Sequence, residues 1–357
     1  MTIAAEPASG YVTRIISRPD HQQRASINQF HDSIPNVHFK QRLNWFDSHN
    51  GQHELLYVVT WHGTDICAAS LVRAISVPLL SAFKRYVIFR GPVWIDLAAL
   101  SVHVGQLITM LESAAVWIRL LPYCENDGEV AARLAAAGLM ADSSAFAYTR
   151  TGRIDLRRSE HEIWDGISSA HRRQIRKAEK SDIDIRDVTT QDEADHFIAH
   201  YSMFAADKGI APIDDSDRKY ITSIIQDRQG RLSMMLAYRD GELLSGVAAL
   251  ACGQTLVFEW GFSTEAGWSS GLPLSHLLQW KTMLWARGHG YLSYDLGGLS
   301  SGPVDHNINQ FKTGFGCEVY DLTRQQVRVC SPLLDRVLRM LAKLRSIMVK
   351  TGRGFGR

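Results

Sequence analysis

The chain has 357 residues, 45% of them hydrophobic and 21% charged, which is enough for two domains of ordinary size that each bury a core. Its 39 basic and 37 acidic residues nearly cancel, so the overall field is excluded as a means of attracting an anionic partner and a local patch must do it. Five cysteines with no C-x-x-C pair exclude a disulfide scaffold and fit a reducing compartment, so the expected location is the cytoplasm.

The first residues, MTIAAEPASG, lack a charged n-region followed by an apolar run, and no secretory signal is expected. Apolar runs such as SGVAALACG fall short of a bilayer span. The 14 histidines show no metal-ligand spacing, and neither H-E-x-x-H nor G-x-S-x-G occurs. Neither a metal, nor a serine nucleophile, nor a cofactor is therefore expected.

In chain order, Glu54–Val72 reads as two apolar runs around a turn at His62-Gly63, a β-hairpin. A third strand is expected at Arg85–Ile95, a helix over Leu100–Ala114 and a fourth strand at Val116–Tyr123. Arg231–Leu250 repeats the hairpin, and with Gly63 set against Gly241 the apolar and small positions fall in step. It is followed in the same order by Thr255–Phe262, a helix over Leu272–Arg287 and a strand at Tyr291–Leu296. A duplicated mixed α/β unit is the reading, against two unrelated α/β domains. The first unit is expected at residues 1–152, completed by 323–357, and the second at 153–322. The order β-α-α-β-β-β-α-β-α-β-β resembles the GNAT acyltransferase fold, a mixed sheet that splays near its fourth and fifth strands, so the fold class expected is α/β with two tandem GNAT-like domains.

Two basic patches stand out. Laid on one helical wheel, Arg157–Lys180 puts Arg172, Arg173, Arg176, Lys177 and Lys180 within an arc of about 140°, with Ile163, Trp164, Ile167, Ile175 and Ala178 opposite. Only Glu179 interrupts the run, so these five are the candidate phosphate or tRNA contacts; the alternative is a solvated face. The tail from Leu333 to Met348 is amphipathic and basic. It is read first as a cap on the first domain, with contact to an anionic membrane or to RNA as alternatives.

The glycine-rich stretch DLGGLSSGPVDHNINQFKTGFG, Asp295–Gly316, fits neither a Walker loop, since Lys312 follows Phe311, nor G-x-G-x-x-G. A GNAT domain that uses acyl-CoA holds the pyrophosphate in a [QR]-x-x-G-x-[GA] turn that opens a helix. The matching stretch, Phe262–His276, lacks it, so the acyl donor is expected to be something else. Asp295, at a strand end beside two glycines, is a candidate to receive or orient an attacking ammonium, with an Asx turn as its other reading.

The second half resembles the Fem family of non-ribosomal aminoacyl transferases. The resemblance is carried by SSAHRRQIRKAEKSDIDI (168–185), HFIAHYSMFAADKGI (196–210), GLPLSHLLQWKTMLWARGHGYLSYDLGG (271–298) and FKTGFG (311–316). The first half resembles the family more loosely, through HFKQRLNWF (38–46) and WIRLLPY (117–123). The resemblance implies two GNAT-like domains and transfer of an amino acid from aminoacyl-tRNA to a primary amine of a peptide-like acceptor. It makes Phe311 and Lys312, with Asp295, the catalytic candidates, with Lys312 as the fixed cation; a surface lysine beside a core phenylalanine is the alternative. Arg218, Trp260 and Tyr294 are the substrate-binding candidates. An aminoacyl ester is already activated, so the reaction needs positioning and oxyanion stabilisation more than a protein nucleophile.

Two departures qualify the acceptor. No lysine follows Trp45 where relatives that act on nucleotide-linked wall precursors carry one, which leaves the first domain without an obvious cation, and no helical arm is present. The acceptor can then be a wall precursor or a small amine in a peptide natural product. Two other functions stay open: an N-acyltransferase that uses acyl-CoA or acyl-carrier protein on an amino sugar, and an idle RNA- or envelope-binding module.

Overall fold

The computed structural model describes residues 4–5, 10–51, 54–142, 147–227, 230–300 and 306–352. The first sheet takes β1 (Ala4–Ala5), β2 (Tyr11–Ile16), β3 (Glu54–His62), β4 (Asp65–Val77), β5 (Leu80–Phe89), β6 (Val93–Trp94), β7 (Ala115–Leu121) and β8 (Met140–Ala141). The second takes β9 (Arg150–Asp155), β10 (Asp184–Asp187), β11 (Leu232–Arg239), β12 (Glu242–Cys252), β13 (Thr255–Ser263), β14 (Ser293–Gly298) and β15 (Glu318–Asp321). A last strand, β16 (Gln326–Val329), returns to the first sheet between β7 and β8. The sheet orders are β1-β2-β3-β4-β5-β7-β16-β8, with β6 beside β4, and β10-β11-β12-β13-β14-β9-β15.

The helices of the first half are α1 (His21–Ser33), α2 (Leu43–His49), α3 (Leu97–Leu111) and α4 (Gly128–Ala136). Those of the second half are α5 (Glu160–Gly166), α6 (Ser169–Glu179), α7 (Gln191–Lys208), α8 (Asp215–Asp227), α9 (Glu265–Ser269), α10 (Leu274–Gly288) and α11 (His306–Thr313), and α12 (Pro332–Gly352) ends the chain. Both sheets are mixed, and the architecture is a tandem GNAT-like α/β fold. The element order departs from expectation in the second half, where β10 and the pair α7–α8 stand ahead of the hairpin.

The hairpin strands are continuous apolar runs because both of their faces are covered. On β3, Leu55, Tyr57 and Val59 join a core shared between the two halves, while Val58 packs beneath α3 with Leu100, Val104 and Leu107. On β12, Ala248, Leu250 and Cys252 face that shared core, and Ala249 and Ala251 face the core of the second half. The shared core brings Phe39 and Tyr57 together with Tyr220 and Trp260. Each such aromatic, fully buried, contributes about 1.5–3 kcal/mol relative to exposure, which joins the two halves firmly.

Four expectations change. Arg157–Lys180 is two helices, because Ile167 is extended and the Ser168 hydroxyl accepts from the His171 N–H at 3.3 Å, starting a new helix. The third strand breaks at Arg90, which takes a positive φ of 61° ahead of Gly91-Pro92. Leu97–Ala114 does have the length and hydropathy of a membrane span, yet its apolar side chains are used in the core beneath β3. The cap assigned to the tail is seen only in part, where α12 touches β7 of the first half. Leu334 and Leu338 are half-buried, whereas Leu333, Val337, Met340, Leu341 and Leu344 are exposed. The side chains from Arg345 onward, Met348 included, lie outside the described residues.

Candidate active site

The two halves differ where a GNAT sheet splays. In the first, β5 and β7 run parallel and stay in register from Arg85–Trp117 to Phe89–Leu121. In the second, β13 and β14 pair only at Thr255–Ser293, Leu256–Tyr294 and Val257–Asp295, and then part. Beyond that point a register shift between Ala248 and Ala249 leaves Glu259 without an opposite residue. Among the described residues, only the second half therefore offers an open wedge.

On the helical side of the wedge lies a cavity of about 310 Å³, lined by Phe258, Phe262, Trp268, Gln279, Ile308 and Phe311 among others. Gly246 floors it: a Cβ there would stand 2.6 Å from the Phe262 ring and 3.0 Å from Phe197. Trp268 and Ile308 form an exposed apolar rim, 67% and 53% accessible. The Phe311 ring is held edge-on by His276 (5.0 Å) and Phe315 (5.2 Å), and its carbonyl accepts from His171 Nε2 at 2.8 Å. Burial pushes the His276 imidazole down to about 4, so it serves as a neutral aromatic wall.

Lys312, next to Phe311 on α11, points the other way. Its Nζ donates to the Gly298 carbonyl at 2.8 Å and would stand 3.7 Å from a Cβ on Gly297. It is half-buried, which corrects its reading as a surface residue. Burial lowers its pKa from the usual lysine value, against the opposing pull of Asp295, Cys317 and Glu259. The neighbouring stretch 301–305, including Gly302, lies outside the described residues.

Asp295 is fully buried and cannot serve an incoming ammonium. Its carboxylate accepts from the Tyr123 and Thr151 hydroxyls, from Arg153 Nε at 3.1 Å and from the Gly297 N–H at 2.7 Å. The Asx turn is present, but the larger role is to tie the segment that follows β7 to β9 and β14 across the two halves. Tyr294 is also fully buried, and its hydroxyl donates to Gln279 Oε1 at 2.6 Å; it reaches the cavity only by orienting Gln279. Trp260 belongs to the shared core, because the shift at Glu259 turns it away from the wedge. Arg218 is exposed and paired with Asp195, Nε to carboxylate 2.9 Å, an ion pair at the surface.

The basic residues of α6 have outside partners that a helical wheel cannot show. Arg172 pairs with Asp165 at 3.0 Å, and Arg176 lies over the Trp164 ring at 5.2 Å. Lys177 Nζ donates to the Gly271 carbonyl at 2.9 Å. Glu179 pairs with Lys281 at 3.3 Å. Arg173, Arg176, Lys177 and Lys180 are nonetheless exposed. Gly267, a candidate for close approach to a donor, packs instead against the Leu244 carbonyl.

Several polar residues at the wedge escaped sequence reasoning. Lys40 Nζ bonds Glu259 at 2.8 Å, a half-buried ion pair between the two halves. Arg90 lies over the Tyr148 ring at 3.8 Å, and the Tyr148 ring fills the space that a Cβ on Gly298 would need. The first half thus does supply cations, Lys40 and Arg90. Only the positive φ before Gly91-Pro92 has a local signature, in the run FRGP; the Lys40–Glu259 pair has none. His49, Asp214 and Asp217 also meet, with donor atoms within 4.8 Å, but Asp214 accepts from the Ser216 and Asp217 N–H groups and His49 faces Asp217 at 3.4 Å. A helix cap and an ion pair account for them.

Residues 168–312 match the model of the acetyltransferase (GNAT) domain. No curated protein matches the chain. The solved structure of FemX is similar with a TM-score of 0.78 at 15% identity, covering 90% of this chain and 99% of FemX. A tandem GNAT protein from the clavulanic acid biosynthesis pathway has a TM-score of 0.53 at 12% identity, covering 90% and 98%. L-PGS from Bacillus licheniformis has a TM-score of 0.56 at 11% identity, covering 87% and 92%. At these identities the likeness speaks for the fold, and the matched domain for the chemistry: the chain is an acyltransferase built on a FemX-like tandem GNAT fold.

Proposed function

We propose that the enzyme transfers an aminoacyl group from aminoacyl-tRNA to the primary amine of a peptide-like or small acceptor, forming an amide. The observation that carries this reading is the packing of the basic helix α6 against α10, a helix that lines the cavity. Lys177 holds the Gly271 carbonyl just ahead of α10, and Ser275 of α10 lines the cavity. Exposed cations therefore stand on a helix packed beside one wall of the cavity, while the backbone at Gly267 is closed against Leu244. A nucleic-acid phosphate chain fits this surface better than a single pyrophosphate. Beside the cavity, at the wedge, Lys312 supplies the fixed cation for the oxyanion.

Replacing Arg173, Lys177 and Lys180 by alanine is expected to weaken binding of total aminoacyl-tRNA and to reduce the salt slope by about 0.7–0.9 for each phosphate that is no longer neutralised. The measurement is filter binding from low to moderate salt. An unchanged slope, or turnover of acetyl-CoA that RNase leaves untouched, would overturn the reading in favour of an N-acyltransferase using acyl-CoA or acyl-carrier protein. The apolar lining of the cavity, with Phe258, Phe262 and Phe311, favours that second reading for an acyl chain.

We further propose that α12 rests on an anionic bilayer. Leu333, Val337, Met340, Leu341 and Leu344 form an exposed stripe, flanked by Arg336, Arg339 and Lys343, and Asp335 is already paired with Arg339 at 2.8 Å. The chain should float with vesicles rich in phosphatidylglycerol and stay behind with phosphatidylcholine alone, and Leu341→Glu with Leu344→Glu should abolish flotation. Equal flotation of the variant would remove the helix from any membrane role.

A further inference from the structure

A buried guanidinium with no carboxylate beside it calls for an explanation, and Arg90 is one. It is 3% exposed. Its only hydrogen bond among the described residues runs from Nη1 to the Tyr148 carbonyl at 3.3 Å, and its Nε has no partner. The Tyr148, Phe89 and Tyr123 rings cover the guanidinium at 3.8, 5.4 and 5.7 Å. Ring faces satisfy the faces of the cation but leave its in-plane N–H groups unmet. A buried charge in that state is costly, by several kcal/mol.

The fold nevertheless holds Arg90 there. Its φ of 61° is a conformation that residues with a side chain seldom adopt. The turn is clamped by Gln41, whose Nε2 donates to the Phe89 carbonyl at 2.7 Å and whose Oε1 accepts from Leu71 N–H at 2.8 Å. A Cβ on Gly91 would stand 2.7 Å from the Gln41 Cδ.

A second buried arginine faces the same space. Arg153 is 6% exposed; its Nε serves Asp295 while its Nη2 has no partner. Arg90 and Arg153 both line a cavity of about 220 Å³ between the two halves, walled by Pro92, Val93 and Trp94, with Asn36 and Cys124 at its side. Arg153 also lines an adjoining cavity of about 320 Å³. The acid common to both is Glu125, which is exposed; the larger cavity also takes the exposed Glu318 and Asp155, which is paired with Arg157 at 2.8 Å. Asp295 is consumed by its own donors, so the two arginines line a space that holds no buried carboxylate of its own among the described residues.

We propose that this interdomain cavity binds an anionic group, a carboxylate or a phosphate, carried by the small acceptor of the transfer reaction. The planar fork of a guanidinium matches two oxygens of either anion, and the apolar walls suit the body that carries it. One layer of packed groups separates the cavity from the wedge: Arg90 stacks on Tyr148, Tyr148 packs on Gly298, and the Gly298 carbonyl holds Lys312. An acceptor anchored at Arg90 would therefore present its amine toward the Lys312 end of the wedge. The role as acceptor site rests on the proposed transfer, whereas the anion site rests on the geometry alone.

The test is anion-dependent stability of the full chain. Thermal unfolding is followed against inorganic phosphate and, separately, acetate, with chloride holding ionic strength constant. At least one of them should raise the midpoint saturably, and Arg90→Met should weaken that response roughly ten- to a hundredfold, the worth of a charge-assisted hydrogen-bonded pair. Without added anion the variant should melt no lower than the parent, since an uncompensated buried charge is gone. Response to phosphate only assigns a phosphate-bearing acceptor, response to acetate only a carboxylate. In parallel, alkylation of Cys124, read by peptide mass spectrometry on the unaltered chain, should slow with the same half-saturation, which keeps the test intact if Arg90→Met does not fold. No saturable response to either anion, a response that Arg90→Met retains, or a Cys124 rate indifferent to both anions would overturn the site. Anion binding in a protein that takes no aminoacyl-tRNA would leave the site standing and sink only the donor reading.

Discussion

Replacing Lys312 by alanine is expected to lower kcat for amide formation by roughly a hundred- to a thousandfold, about 2.7–4 kcal/mol, the cost of losing one oxyanion-stabilising donor. The structure sharpens the expectation. Lys312 is half-buried at the wedge, with Nζ fixed on the Gly298 carbonyl, so its charge is preorganised and little screened by water. Arginine should restore activity only in part, because the planar fork cannot occupy the place of a compact ammonium between Gly297 and Gly298. Burial lowers the pKa of this lysine, so activity should fall on the alkaline side at a lower pH than an ordinary lysine would set. Single-turnover transfer across pH, with the melting temperature checked in parallel, measures both effects. A well-folded Lys312→Ala protein with full activity would remove this residue from the chemistry.

Asp295→Ala should act on folding first. Its removal strands the buried Arg153 guanidinium and the Tyr123 and Thr151 hydroxyls at once, and breaking a buried pair by deleting one partner costs about 3–5 kcal/mol. The melting temperature should drop on the order of 10 °C for a unit of this size. Double substitution with Arg153→Met should recover part of the loss, since the stranded charge goes too. If Asp295→Ala melts like the parent while activity collapses, the carboxylate works on substrate and the anchoring role is wrong.

The site was legible in proportion to how local its signals are. Phe311-Lys312 stands out as an adjacent pair on one helix, and the two side chains do reach the cavity and the wedge. Trp260 and Tyr294 carry equally suggestive side chains on strands, yet a one-residue register shift beside Glu259 and the pairing with β9 send both inward. Arg218 and Arg172 look like available cations until Asp195 and Asp165 arrive from other helices. The tail shows the reverse failure: its apolar stripe predicts a buried face, and amphipathicity alone cannot say whether protein or lipid covers it.

What the sequence by itself determined is what neighbouring residues dictate. The paired hairpins with their turns at Gly63 and Gly241, the element order around them and the GNAT-like class follow from apolar runs and turn chemistry acting over a few residues. What only the tertiary structure decided is which of two similar sheets opens and which charges remain unmet. The β13–β14 pair parts after Val257 while β5–β7 stays zipped to Phe89. Lys40 finds Glu259, and Asp295 is consumed by Tyr123, Thr151 and Arg153, whereas Arg90 is buried with no acid bonded to it among the described residues. The physical reason is that burial and ion pairing are set by contacts between segments far apart in the chain, where desolvation and Coulomb attraction act through space and leave no periodicity in the sequence.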